Sequence, residues 1–178
     1  MNTEFNFGPA VEDELIVFGA RRPGYLPSDV TRWIAYMRKQ GIQRVVCLLS
    51  GKEFGSKVAA DLLDTYERVF GDDRVFHSPI EDFQLAHRTT IKDILKFIAA
   101  SEHEKEKVVV HCSGGMGRTG HVLACWLVMG RNFEPLDAIR EVRRMGRTPT
   151  DSSSNLMPLL DYCRNLQVGD QRLFCRSG

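Results

Sequence analysis

Charge of one sign is the first thing missing. The 178 residues carry 24 Lys and Arg against 23 Asp and Glu, a formal net charge of +1, so no global field selects nucleic acid or an anionic membrane as partner. Any anion must be held locally. Long apolar runs are missing too: none reaches the ~20 residues of a membrane span, and the N-terminal MNTEFNFGPA lacks a basic stretch followed by an apolar one. A soluble cytoplasmic protein is expected. Paired cysteines are missing: Cys47, Cys112, Cys125, Cys163 and Cys175 form an odd set without a CxxC pair. That excludes a disulfide framework and fits reduced thiols. His77, His87, His103 and His121 lack the paired spacing of a metal site, so no metal is expected. Repeats, low-complexity tracts and linkers are absent, and the length suits one domain, a monomer. Residues 1–14 read as a lead-in and 168–178 as a loosely held tail.

What is present is alternation. LIVFGA (15–20), RVVCLLS (44–50), RVFHSPI (74–80) and KVVVHC (107–112) are short, β-branched and bounded by turn formers, which predicts buried strands. Val30, Trp33, Ile34 and Met37 mark one helix face, and Ile91, Ile94, Leu95 and Ile98 another. After residue 118 the pattern is all helix: the apolar HVLACWLVMG, a helix opening near Pro135 and stopping at Gly146, and a last one carrying Leu156, Leu159, Leu160 and Cys163. The expected fold is α/β, a central, largely parallel sheet of four to five strands flanked by helices.

The chemistry concentrates in VVVHCSGGMGRTG, residues 108–120. Gly115, Gly117 and Gly120 satisfy GxGxxG, but a dinucleotide site also needs a second strand ending in an acid ~20 residues on. Glu134 and Asp137 stand at that distance and open a helix instead. The better reading takes Cys112 to Arg118 as one anion cradle. Glycines at 114, 115 and 117 let successive N–H groups of residues 113–117, including those of Ser113 and Met116, turn inward at a helix N-terminus. Arg118 closes the ring with a planar fork. The same field favours a thiolate at Cys112, which can attack a bound phosphate.

HCSGGMGRTG, His111 to Gly120, is similar to the HCxxGxxRS/T signature of protein tyrosine and dual-specificity phosphatases, and the chain resembles their compact members. The resemblance implies hydrolysis through phosphocysteine without a cofactor. It implies that Thr119 donates its hydroxyl to the sulfur, that His111 turns toward backbone and tunes the cysteine, and that the acid comes from a mobile loop. Leaving oxygens need a proton, and in HSPIEDFQLAH Asp82 is the candidate acid, with Glu81 as rival and Phe83 as a loop anchor. No glutamine stands where tyrosine-specific members place one for the attacking water; Asn155 is the nearest amide. Arg21, Arg22, Lys52 and Glu53 follow strands and either rim the pocket or are simply solvated. Cys47 is a core thiol or a trap for oxidised Cys112.

Phosphorylated proteins are the expected substrate, on tyrosine and on serine or threonine. A phosphoinositide or small phosphate ester is the alternative, weakened by the absence of lysine from positions 113–116. A catalytically dead phosphoprotein-binding module is another, weakened by the presence of cysteine, arginine and acid together.

Overall fold

Five strands, β1 (Gly8–Pro9), β2 (Val17–Arg21), β3 (Ile42–Cys47), β4 (Val75–His77) and β5 (Lys107–Cys112), form one sheet in the computed structural model, which describes residues 4–54, 57–149 and 156–170. The spatial order is β1-β2-β5-β3-β4, and every pairing is parallel except that of β1 with β2. The helices are α1 (Pro27–Lys39), α2 (Lys57–Phe70), α3 (Arg88–His103), α4 (Gly117–Arg131), α5 (Pro135–Arg144) and α6 (Leu156–Asp170). None is long and apolar enough to cross a membrane.

Alternation along β5 builds two cores. Val108 and Val110 join a cluster with α3 to α6, while Val109 joins one with Trp33 and Met37 of α1 and Leu62 and Tyr66 of α2. The period of two along a strand puts neighbours on opposite faces, so a run apolar at every position is what a strand covered on both sides requires. Helix α4 is buried almost all round, as its uniformly apolar sequence predicts.

The chain runs β2-α1-β3-α2-β4 on one side, then crosses through α3 on the other face to insert β5 between β2 and β3. Ligands of such sheets bind beyond the carboxyl ends of the strands, where the order reverses. Arg21 pairs with Cys112 and Cys47 with His111, so three strands deliver their following loops to one point.

Three expectations need correction. The lead-in is structured: β1 pairs with β2, and Phe5, Ala10 and Glu14 are buried. The Glu14 carboxylate caps the N–H groups of Ile16 and Val17 and pairs with Arg131 at 3.0 Å. Helix α6 continues to Asp170, past the predicted start of the tail. Helix α2 was not expected, although Leu62, Tyr66 and Phe70, flanked by Leu63 and Val69, give it an apolar stripe at helical spacing.

Candidate active site

Where β5 ends, the backbone is tied from outside. Arg22 N–H donates to the carbonyls of Cys112 (2.9 Å) and Ser113 (3.3 Å), Asn6 Nδ2 to that of Gly114 (3.0 Å), and Arg147 Nη1 to that of Gly115 (2.5 Å). A loop whose carbonyls are drawn away presents its N–H groups to the other side, where the positive end of α4 adds its dipole. Gly115 has φ +71°, and a Cβ there would stand 2.5 Å from Ala20 C and Arg21 N. Only glycine fits so close to β2. Cys112, 2% exposed, lies at the base, and Thr119 Oγ1 donates to its Sγ at 3.2 Å.

Arg118 is held by two partners. Its Nη1 and Nη2 donate to the Glu53 carboxylate at 2.5 and 2.7 Å, and Nη1 also donates to Ile80 O at 3.0 Å. Of the five guanidinium protons, this leaves Nε–H and one on Nη2, the side-on edge suited to two phosphate oxygens. Asp82 Oδ1 stands 3.3 Å from Nε. A cavity of about 230 Å³ opens there, lined by Asp82, Phe83, Cys112, Ser113, Gly114, Met116, Gly117 and Arg118.

The electrostatics are coherent. Burial acts to raise the Glu53 carboxyl, but hydrogen bonds from Arg118 and from Ser50 N–H outweigh it and hold it below the usual carboxylate range. Burial alone would weaken Arg118 as a cation; Glu53, the Cys112 sulfur and Asp82 reverse the sign and raise it. Burial drives His111 down to about 3, against the pull of the Cys112 backbone. Its neutral ring packs edge-on against Trp33 and Tyr66, with centroids 5.4 and 5.6 Å away. Cys47 is buried in the core on the far side of β3, and desolvation pushes its thiol to about 12.

The structure thus brings Cys112, Arg118, Thr119, Asp82 and residues 113–117 together, while Asn155 lies outside the described residues. Asp82 lines the cavity, whereas its rival Glu81 is exposed and pairs with Lys52 Nζ at 3.3 Å. Phe83 does not anchor the loop: it is 71% exposed, with φ 59°, at the cavity wall. Arg22 and Glu53 are neither rim nor solvated, since one is buried against the cradle and the other orients Arg118.

Sequence reasoning missed Arg147. It is 3% exposed and donates to Gly115 O, Gly19 O (2.7 Å), Asn6 O and Gly8 O (3.2 Å each). Burial lowers it to about 10, opposed by the Cys112 sulfur. It directly follows Gly146, where a charge after a helix stop looks solvated; Gly19, an unexplained glycine in a strand, was the available signal, since a Cβ there would meet Arg147 Cζ at 2.6 Å.

Residues 19–131 match a family model described as a polymorphic toxin system DSP-PTPase phosphatase. Cyclin-dependent kinase inhibitor 3 of Rattus norvegicus is 29% identical over 143 residues, 76% of this chain and 66% of that protein. Protein tyrosine phosphatase domain-containing protein 1 of Danio rerio is 31% identical over 86 residues, 48% of this chain and 12% of that protein. The chain therefore spans under two thirds of the first relative and about an eighth of the second. The crystal structure of Tk-PTP in the active form is similar with a TM-score of 0.68 at 28% identity, covering 84% of this chain and 92% of that one.

Proposed function

The chain belongs to the DSP-PTPase phosphatase family, and on that premise we propose that it hydrolyses phosphate monoesters of proteins in two steps through phosphocysteine. Cys112 Sγ attacks phosphorus, the ester P–O bond breaks, and Asp82 gives its proton to the leaving oxygen. The N–H groups of residues 113–117 and the side-on edge of Arg118 hold the three remaining oxygens as charge spreads over them. Asp82, now a carboxylate, then takes a proton from water while the water oxygen bonds phosphorus and the P–S bond breaks. Thr119 donates to the departing sulfur. No cofactor enters. The observation that carries this reading is the cavity of about 230 Å³ with the Cys112 thiol, the Arg118 fork and the Asp82 carboxylate on its walls.

Phosphotyrosine and phosphoserine or phosphothreonine are the favoured substrates. Support comes from the mouth, where Asp82 and Phe83 stand exposed rather than enclosing a deep slot. Arg118 is the one cation among the lining residues, which weighs against a polyphosphorylated inositol headgroup. We place the protein in the cytoplasm, a reducing compartment that keeps a reactive thiol free.

Hydrolysis of para-nitrophenyl phosphate by the native protein and by Cys112→Ser, in chelator, tests the proposal. Native turnover that survives chelation, disappears in the variant and is blocked by vanadate is the expected result. An inert native protein that still binds vanadate under reducing conditions would make it a phosphate reader instead.

A further inference from the structure

His121 takes part in no step proposed above, yet it is wholly buried behind the loop that carries Asp82. It stands three residues after Arg118 on α4, so the two side chains leave the same helix face. Each meets one end of that loop. At the entry, the N–H groups of Ser78 and Ile80 donate to Cys47 O and Leu48 O at 3.0 and 3.1 Å, and Arg118 Nη1 donates to Ile80 O. At the exit, Ala86 N–H donates to His121 Nε2 at 3.3 Å. The next residue, His87, is the N-cap of α3, its ring accepting from Thr89 N–H.

Between these fastenings run residues 81–85, of which the first four are exposed. A short span hung at both ends places its middle by where the ends sit, and Asp82 is in that span. Accepting from Ala86 requires a neutral ring with its proton on Nδ1, and Nδ1 faces Cys125 Sγ at 3.9 Å. Tyr162 of α6 closes the pocket edge-on, its centroid 5.0 Å from the imidazole. Burial lowers this histidine to about 4, in keeping with a ring that stays neutral.

We propose that His121 is a positioning residue for the general acid, fixing the exit of the acid loop to the helix that carries Arg118, so that one helix face places both phosphate and acid. The inference rests on Asp82 being that acid.

The test uses the dependence on leaving group, which a merely structural role would not move. Phenolate leaves badly without a proton, whereas 2,4-dinitrophenolate needs none. In His121→Gln the amide reaches the place of Nε2 and can still accept from Ala86; in His121→Asn it ends near Nδ1 and cannot. His121→Asn is expected to lower kcat/KM, which reports the step that expels the leaving group, about tenfold or more on phenyl phosphate and no more than about twofold on 2,4-dinitrophenyl phosphate. His121→Gln should keep the native ratio, and Asp82→Asn should show the selectivity at full size. Equal slowing of both esters by His121→Asn, or none, overturns the inference while a selective Asp82→Asn leaves the acid assignment standing. An Asp82→Asn without selectivity overturns the acid assignment and the inference with it. Should His121→Asn fail to fold, Ala86→Pro removes the same hydrogen bond from the loop side, and the same ratio decides.

Discussion

Arg118 can grip a phosphate along one edge because Glu53 grips it along another. A guanidinium on a flexible stem loses rotamer entropy when it binds, and a carboxylate fixed by Ser50 N–H removes that loss in advance. Glu53→Gln keeps the shape and removes the charge. We expect kcat/KM on aryl phosphates to fall about 10- to 100-fold, because the fork is left free to swing, and the melting temperature at neutral pH to fall because Arg118, 2% exposed, loses its counter-charge. The pH dependence has a definite sign. The folded Glu53 carboxyl lies below its ordinary value, so its contribution is complete above the ordinary carboxylate range and is lost as pH falls through the folded value. Thermal unfolding should therefore show the gap between native and Glu53→Gln constant at neutral pH and closing only as pH drops below the ordinary carboxylate range. A gap that persists there would mean that Glu53 acts by shape. The partner of Arg118 was not legible in the sequence: 65 positions separate them, and contacts between loops leave no periodicity to read.

At the scale of elements, what the sequence carries well is what has a period or an obligatory residue type. The strand ending in Cys112, the apolar α4 and the glycine loop between them follow from β-branched runs, all-round hydrophobicity and φ requirements. Short β1 has neither, since two residues cannot show an alternation, and its register with Gly19 and Phe18 exists only in the folded chain. The cradle makes this concrete, because its glycines are not equivalent. At Gly115 a methyl meets the backbone of β2 at 2.5 Å under φ +71°, whereas at Gly114 it would meet only Met116 Cγ at 3.8 Å. Gly115→Ala is expected to abolish vanadate binding and to cost more than the roughly 1–2 kcal/mol of left-handed strain alone, since the β2 backbone cannot yield. Gly114→Ala should retain binding within about threefold and melt near the native temperature, its new methyl making ordinary contact. Calorimetry on the two variants decides it; similar losses at both positions would show that the loop is constrained by something other than its contact with β2.

For the whole molecule, Arg147 is the point where distant parts of the chain meet. Its guanidinium joins the carbonyls of Asn6 and Gly8 in the N-terminal segment, of Gly19 in β2 and of Gly115 in the cradle, contacts that span up to 141 positions. Apart from Gly19, no local pattern could announce them, and the N-terminal segment looked like a lead-in because its partners, in β2, in the cradle, at Arg131 and at Arg147, come together only in the folded chain. A buried carbonyl that loses its donor costs about 1–3 kcal/mol, against a total stability of about 5–15 kcal/mol. With two of the four carbonyls buried, Gly19 and Gly115, Arg147→Met should therefore melt on the order of 10 °C lower, at about 2–4 °C for each kcal/mol in a domain of this size. Arg147→Lys keeps the charge near Cys112 but offers a compact ammonium in place of a planar fork, so it should recover little of the loss. Gly19→Ala approaches the same contact from the opposite side, pressing a methyl to within 2.6 Å of Cζ and 2.8 Å of Thr119 Cγ2, and should lower stability and turnover together although it lines no part of the cavity. If Arg147→Met melts near the native temperature, water has taken over the four carbonyls and the cradle keeps its shape without a cation behind it; if it melts early while Gly19→Ala behaves as native, β2 yields where the packing says it cannot.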